Sequence, residues 1–158
     1  MSYLLKLYSN DLAKKRLLKY FFKNRSVDEI KKLAENFINN NLEKHLRKNV
    51  IKRLKWHQNK GHTTILISAS IDLYIRLWGG KYKFDFIECT VLEKKNDLYT
   101  GQILGKNCYG IEKVNRLNDL FGKNFFDNEI YGYGDGDGDK FFLILCTHKF
   151  SKKDLKSI

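Results

Sequence analysis

The chain of 158 residues has no apolar run approaching the ~18 residues that a membrane-spanning helix needs. Its first residues, "MSYLLKLYSND", carry neither the apolar core nor the cleavage site of a secretory signal. Cysteine is scarce: Cys89, Cys108 and Cys146 are widely spaced and odd in number. That excludes a disulfide framework and, with no C-x-x-C pair, a structural zinc site. Cys146 with His148, or His57 with His62, would make only half of a metal site, and they are read as ordinary core or surface residues. A reducing, cytoplasmic setting is the expectation. Also missing are an RNP motif, a zinc finger and an arginine-rich stretch, although the net charge is +12. Lysine blocks such as "KKR" at Lys14 fall on the polar side of amphipathic patterns, so the charge is read as a solvated surface, compatible with an anionic substrate. A basic binding protein for nucleic acid or another anionic partner is the alternative.

What is present is a globular composition, 42% hydrophobic and 14% aromatic, enough for one domain with a core. The first third follows a helical period. Leu12, Leu17, Leu18, Phe21 and Phe22 mark one helix that Ser9, Asn10 or Asp11 can cap; Ile30, Leu33, Phe37 and Ile38 mark a second, opened by a Ser26/Glu29 capping box. A third helix over 50–59 stops at Lys60-Gly61. The period then changes. "TTILISAS" reads as a buried parallel strand, Ile71 to Trp78 as a helix, "FDFIECTVLE" as a strand, and the following segment as a hairpin turning at Asn96-Asp97. "GIEKVNRLNDLFG" is a helix ended by Gly122, and "NEIYGYG" a further strand. Strands alternating with helices predict an α/β fold with a parallel sheet whose functional loops lie at the strand carboxyl ends.

The acidic loop "YGDGDGDKFFL" follows that last strand. Asp135, Asp137 and Asp139 fit the first positions of a calcium loop, but Lys140 stands where glycine is needed and Cys146 where a bidentate glutamate is needed. Asp135 and Asp139, four residues apart at a helix start, are instead placed to face a common point, with Asp137 towards solvent. Such a pair suits Mg²⁺, which takes one or two carboxylates plus water and phosphate oxygens.

The loop resembles the fourth motif, G-D-x-x-x-D, of the haloacid dehalogenase (HAD) superfamily in its phosphoserine-phosphatase-like branch. "ILISAS" resembles the second motif, "GKNCYGIEKVNRL" the segment carrying the third-motif lysine, and "WHQNKGH" the helix end before the second-motif strand. The resemblance implies a HAD-like parallel sheet with helices on both faces, residues 49–158, and a helical cap, residues 1–48. It implies Mg²⁺-dependent hydrolysis of a small phosphomonoester through an aspartyl-phosphate. In these terms Ser68 and Lys113, with Lys106 as the other candidate lysine, would hold the phosphoryl group, and Asp135 and Asp139 the metal. The first motif, D-x-D, which bears the nucleophile, has no counterpart ahead of the cap. The expectation is therefore a truncated or split protein, inactive alone, with a second chain or the amino-terminal segment supplying the motif. Its missing strand leaves two others facing each other, and these are expected either to pair directly or to accept a strand from another chain.

Overall fold

The computed structural model describes residues 10–156. The amino-terminal segment "SYLLKLY" lies outside the described residues, so the arrangement expected of it has no structural counterpart here.

Three helices come first: α1 (Asn10–Phe22), α2 (Val27–Asn40) and α3 (Lys48–Asn59). They are followed by β1 (Ile65–Ile71), α4 (Asp72–Lys81), β2 (Phe86–Lys95), β3 (Leu98–Leu104), α5 (Ile111–Phe121), β4 (Tyr131–Tyr133), α6 (Lys140–Leu145) and β5 (His148–Phe150). α3 ends where Gly61 adopts φ 71°, a conformation that costs glycine nothing. β2 and β3 form a hairpin whose two turn residues, Asn96 and Asp97, both have positive φ (51° and 59°), as a turn matched to strand twist requires.

The parallel strands are β1 with β2, in register from Ile65↔Phe86 to Ser68↔Cys89, and β4 with β5, from Tyr131↔His148 to Tyr133↔Phe150. These pairs belong to two separate sheets, β1-β2-β3 and β4-β5. The expectation that the strands before Ser68 and before Gly134 pair directly is therefore corrected. Among the described residues β1 and β4 share no backbone hydrogen bonds, because they stand apart across a cavity of about 780 Å³ lined by residues of both.

Two apolar clusters account for the packing. Leu18, Ile30, Leu92 and Tyr99 join α1 and α2 to the β2–β3 hairpin, and the chain between α1 and α2 is bonded to it through Asn24 N–H to Tyr99 O (2.8 Å) and Val27 N–H to Asp97 O (3.0 Å). This backbone pairing displaces the Ser26/Glu29 capping box. Ser26 makes no side-chain cap bond and bridges Leu98 instead, while Glu29 pairs with Arg25 at 3.0 Å. The second cluster, Val114, Leu117, Phe142 and Cys146 with Ile65, Ile67 and Ile130 against it, ties α5 and α6 to the inner strands of both sheets.

Candidate active site at the strand carboxyl ends

β1 bulges after Ser68: the register passes from Ser68↔Cys89 directly to Ile71↔Thr90. The bulge turns Ala69 and Ser70 out of the ladder, and the Ser70 N–H donates to Ser68 Oγ at 3.1 Å. A hydroxyl and backbone amides at the end of a parallel strand are the kind of donors that anions meet in such folds.

Lys113 lies in the first turn of α5 with its side chain only 7% exposed. Its ammonium donates to the carbonyl of Ile67 (3.2 Å), the residue before Ser68, and to Asp139 Oδ1 (2.6 Å). Lys106, by contrast, is 78% exposed and reaches only Glu112, at 3.9 Å. The structure thus brings Lys113, and not Lys106, to the end of β1.

The acidic loop is shaped by Asp139, whose Oδ2 accepts the N–H groups of Asp135 and Gly136, both at 3.1 Å. This staple needs a glycine at 134, where a Cβ would come within 2.6 Å of Asp139 Cβ. Both oxygens of Asp139 are therefore committed, one to Lys113 and one to the loop backbone. Asp135 is half-exposed and takes Arg47 at 3.1 Å. Asp137 faces solvent, 80% exposed, against Lys140. Among the described residues no three His, Cys, Asp or Glu side chains gather around a point that could hold a metal ion.

Two contributors escaped the sequence reading. Lys14 of α1 reaches Ala69 O (2.5 Å), Thr90 Oγ1 (3.1 Å) and Asn107 Oδ1 (2.5 Å), and burial lowers its pKa below the usual lysine value. It pins the first helix to the bulge beside Ser68. Arg47, just before α3, meets Asp135 across the loop. Neither has a sequence signal, since a lysine in "KKR" looks the same whether it faces water or a neighbouring turn.

Two histidines lie between α3 and β4. His57 Nε2 lies 2.7 Å from Tyr133 Oη and His57 Nδ1 lies 2.9 Å from His62 Nδ1. Arg53 Nε donates to the same phenol at 2.9 Å. With Tyr133 donating to Nε2, His57 donates from Nδ1 and every member is satisfied with a neutral ring. Burial, with Arg53 and His62 nearby, brings the His57 pKa down to about 4. Cys146 is buried, and His148 meets Glu129.

A family model described as haloacid dehalogenase-like hydrolase matches residues 1–143. The chain belongs to that family. Among solved structures it resembles a protein of unknown function from Bordetella pertussis Tohama I (TM-score 0.80, 20% identity, 90% of this chain and 65% of that one). It also resembles a probable phosphoserine phosphatase from Vibrio cholerae (TM-score 0.72, 15% identity, 94% and 44%). A third is a substrate-bound phosphoserine phosphatase complex (TM-score 0.59, 19% identity, 92% and 67%). At these identities the likeness establishes the fold. The chain spans less than two thirds of the length of the first two structures. No curated protein matches it. None of the helices among the described residues of this HAD-family chain is long and apolar enough to cross a membrane.

Proposed function

We propose that this chain is the phosphoryl-binding part of a phosphatase-type hydrolase acting on a small phosphomonoester, and that it does not turn over substrate alone. The carrying observation is the Lys113 ammonium, which touches both the carbonyl ahead of Ser68 and the carboxylate of Asp139. One buried cation at the carboxyl ends of two inner strands is where a phosphoryl group's charge would be balanced. In this reading the Ser68 hydroxyl and the amides of the bulge donate to phosphoryl oxygens. Lys113 supplies positive charge from a position held by Asp139. Asp135 exchanges Arg47 for Mg²⁺, which would neutralise phosphate charge when bound. Asp139 acts on the site through Lys113 and the loop amides. In this reading Asp135 and Asp139 are engaged and Asp137 faces solvent against Lys140, which is why turnover by the chain alone is not expected. The helices of residues 1–48 would serve as the cap over this site.

Equilibrium binding of orthovanadate with and without Mg²⁺ tests the reading. Vanadate should bind with Mg²⁺, Ser68→Ala and Lys113→Met should each weaken it at least ~10-fold, and Asp135→Asn should remove the Mg²⁺ dependence while Asp137→Asn leaves it intact. Vanadate binding that is indifferent to all four substitutions would sink the assignment. Robust hydrolysis of aryl phosphates by the chain alone, lost in Asp135→Asn, would show that a carboxylate described here is the nucleophile.

A further inference from the structure

The bulge after Ser68 contains one peptide unit that is held at both of its polar ends. The Ala69–Ser70 peptide is planar and trans, so its C=O and N–H point in opposite directions. The N–H end donates to Ser68 Oγ at 3.1 Å. The C=O end accepts from Lys14 Nζ at 2.5 Å and lies 2.9 Å from Thr90 Oγ1. One peptide plane thus connects a lysine of α1 to the hydroxyl of Ser68.

The Lys14 ammonium is fully committed to this corner. Its three N–H donors are directed at Ala69 O, Thr90 Oγ1 (3.1 Å) and Asn107 Oδ1 (2.5 Å), so none is left for a ligand. None of the three acceptors is a carboxylate, and Asp11, one turn earlier, is taken by Lys15 at 2.7 Å. The acceptors are themselves fixed. Thr90 of β2 is fully buried, its Oγ1 takes the Cys108 N–H at 3.1 Å, and it lies 2.8 Å from Asn107 Oδ1. A charged donor on the carbonyl polarises the peptide, which makes the N–H at its other end a stronger donor. With that N–H on its lone pair, the Ser68 hydroxyl keeps its own hydrogen for an acceptor beyond the strand end.

We propose that Lys14 is a positioning residue of the phosphoryl site: through the Ala69–Ser70 peptide it aims and strengthens the Ser68 hydroxyl as a donor to a phosphoryl oxygen, so the site is complete only with α1 docked. The inference rests on the phosphoryl-binding reading above. Two other roles would behave differently. A lysine that met the anion itself would act whether or not the Ser68 hydroxyl is present, and one that only fastened α1 would affect stability and leave anion affinity alone.

Orthovanadate binding in the presence of Mg²⁺, measured on the wild-type chain, Lys14→Met, Ser68→Ala and the double variant, separates the three. Circular dichroism establishes that each chain is folded at the assay temperature. Lys14→Met should weaken vanadate about 5-fold in the wild-type background and less than ~2-fold in the Ser68→Ala background, where the relay has lost its last member. Should Lys14→Met fail to fold, Asn107→Ala removes one of the lysine's acceptors without altering α1, and should show the same dependence on Ser68 with a loss of about 3-fold. Equal losses with and without Ser68 would overturn the inference in favour of a direct effect of charge on the anion. No loss in a folded variant would reduce Lys14 to a structural tie. A wild-type chain that fails to bind vanadate would overturn the phosphoryl-binding reading and this inference together, whereas binding that depends on Ser68 but not on Lys14 would overturn the inference alone.

Discussion

The Lys113–Asp139 contact permits a quantitative test that needs no substrate. The two side chains are 7% and 15% exposed and 2.6 Å apart, so each is largely desolvated and depends on the other. Removing one partner of a buried pair costs about 3–5 kcal/mol, because the survivor keeps its desolvation penalty without its partner. Asp139 retains two backbone amide donors after Lys113→Met. The expected cost is therefore at or below the lower limit of that range, about 2–3 kcal/mol, or about 4–12 °C in melting temperature for a chain of this size. Asp139→Asn still accepts from the loop amides but leaves the ammonium facing a neutral oxygen, and should cost a similar amount.

The decisive quantity is the double variant. If the pair acts as a unit, Lys113→Met with Asp139→Asn loses about 3 kcal/mol rather than the ~5 of the two added together, a coupling of about 2 kcal/mol. Urea unfolding followed by far-UV circular dichroism on the four chains measures it. Lys106→Ala is the control and should change stability by less than ~0.5 kcal/mol, since that lysine is exposed and its ion pair is long. Additivity of the two substitutions within ~0.5 kcal/mol would refute the claim that Lys113 and Asp139 jointly organise the strand ends.

Two further outcomes follow from local geometry. His57 is held neutral in the fold, with a pKa of about 4, whereas in the unfolded chain it titrates near its ordinary ~6.5. The unfolded state therefore takes up the proton first, and the stability due to this residue, present above pH ~6.5, is lost as pH falls towards 4. Melting temperature across that window should drop for the wild type and drop less for His57→Gln; parallel profiles would refute it. At Gly132 a Cβ would stand 2.5 Å from Cys146 Sγ and 3.0 Å from Leu143 Cδ2. Gly132→Ala should cost about 1–3 kcal/mol by overpacking, with part recovered when Cys146→Ala is added, and chemical denaturation of both would show whether the contact is real.

Elements specified by local signals were legible. Two left-handed residues at Asn96-Asp97 and a glycine after α3 announce a hairpin and a helix end without reference to the rest of the chain. Asp137 was placed towards solvent, and that is where it lies, although of its two acidic neighbours only Asp139 turns inward. What failed to show were decisions taken by distant partners. The Ser26/Glu29 pattern satisfies a capping rule, yet the hairpin's backbone claims Ser26 and Arg25 claims Glu29. β5 is three residues long, "HKF", and exists only because β4 pairs with it. The choice between Lys113 and Lys106 was equally hidden, because both sit near the start of α5 and only the packing of α5 against β1 separates them. Lys14 is the extreme case: its role depends on Ala69, Thr90 and Asn107, all more than fifty residues away.

The absence of backbone pairing between β1 and β4 raises the question of what keeps them at a strand's spacing rather than letting them collapse. Side-chain ties at both ends answer it. At the carboxyl end Lys113 fastens β1 to the acidic loop after β4. At the amino end His62, just ahead of β1, stacks on Tyr131 of β4 with ring centroids 6.0 Å apart, and Tyr133 is held by Arg53 and His57 of α3, which passes into β1 through the short turn at Lys60-Gly61. The Val114, Leu117 and Phe142 cluster fixes Ile65, Ile67 and Ile130 from one side. Each tie is a bond between groups that would otherwise be buried without partners, so closing the cavity would break polar contacts to gain apolar ones. Lys113 is the shortest of these ties: one ammonium joins the end of β1 to the loop after β4, so its removal is expected to loosen the spacing of the two strands at that end.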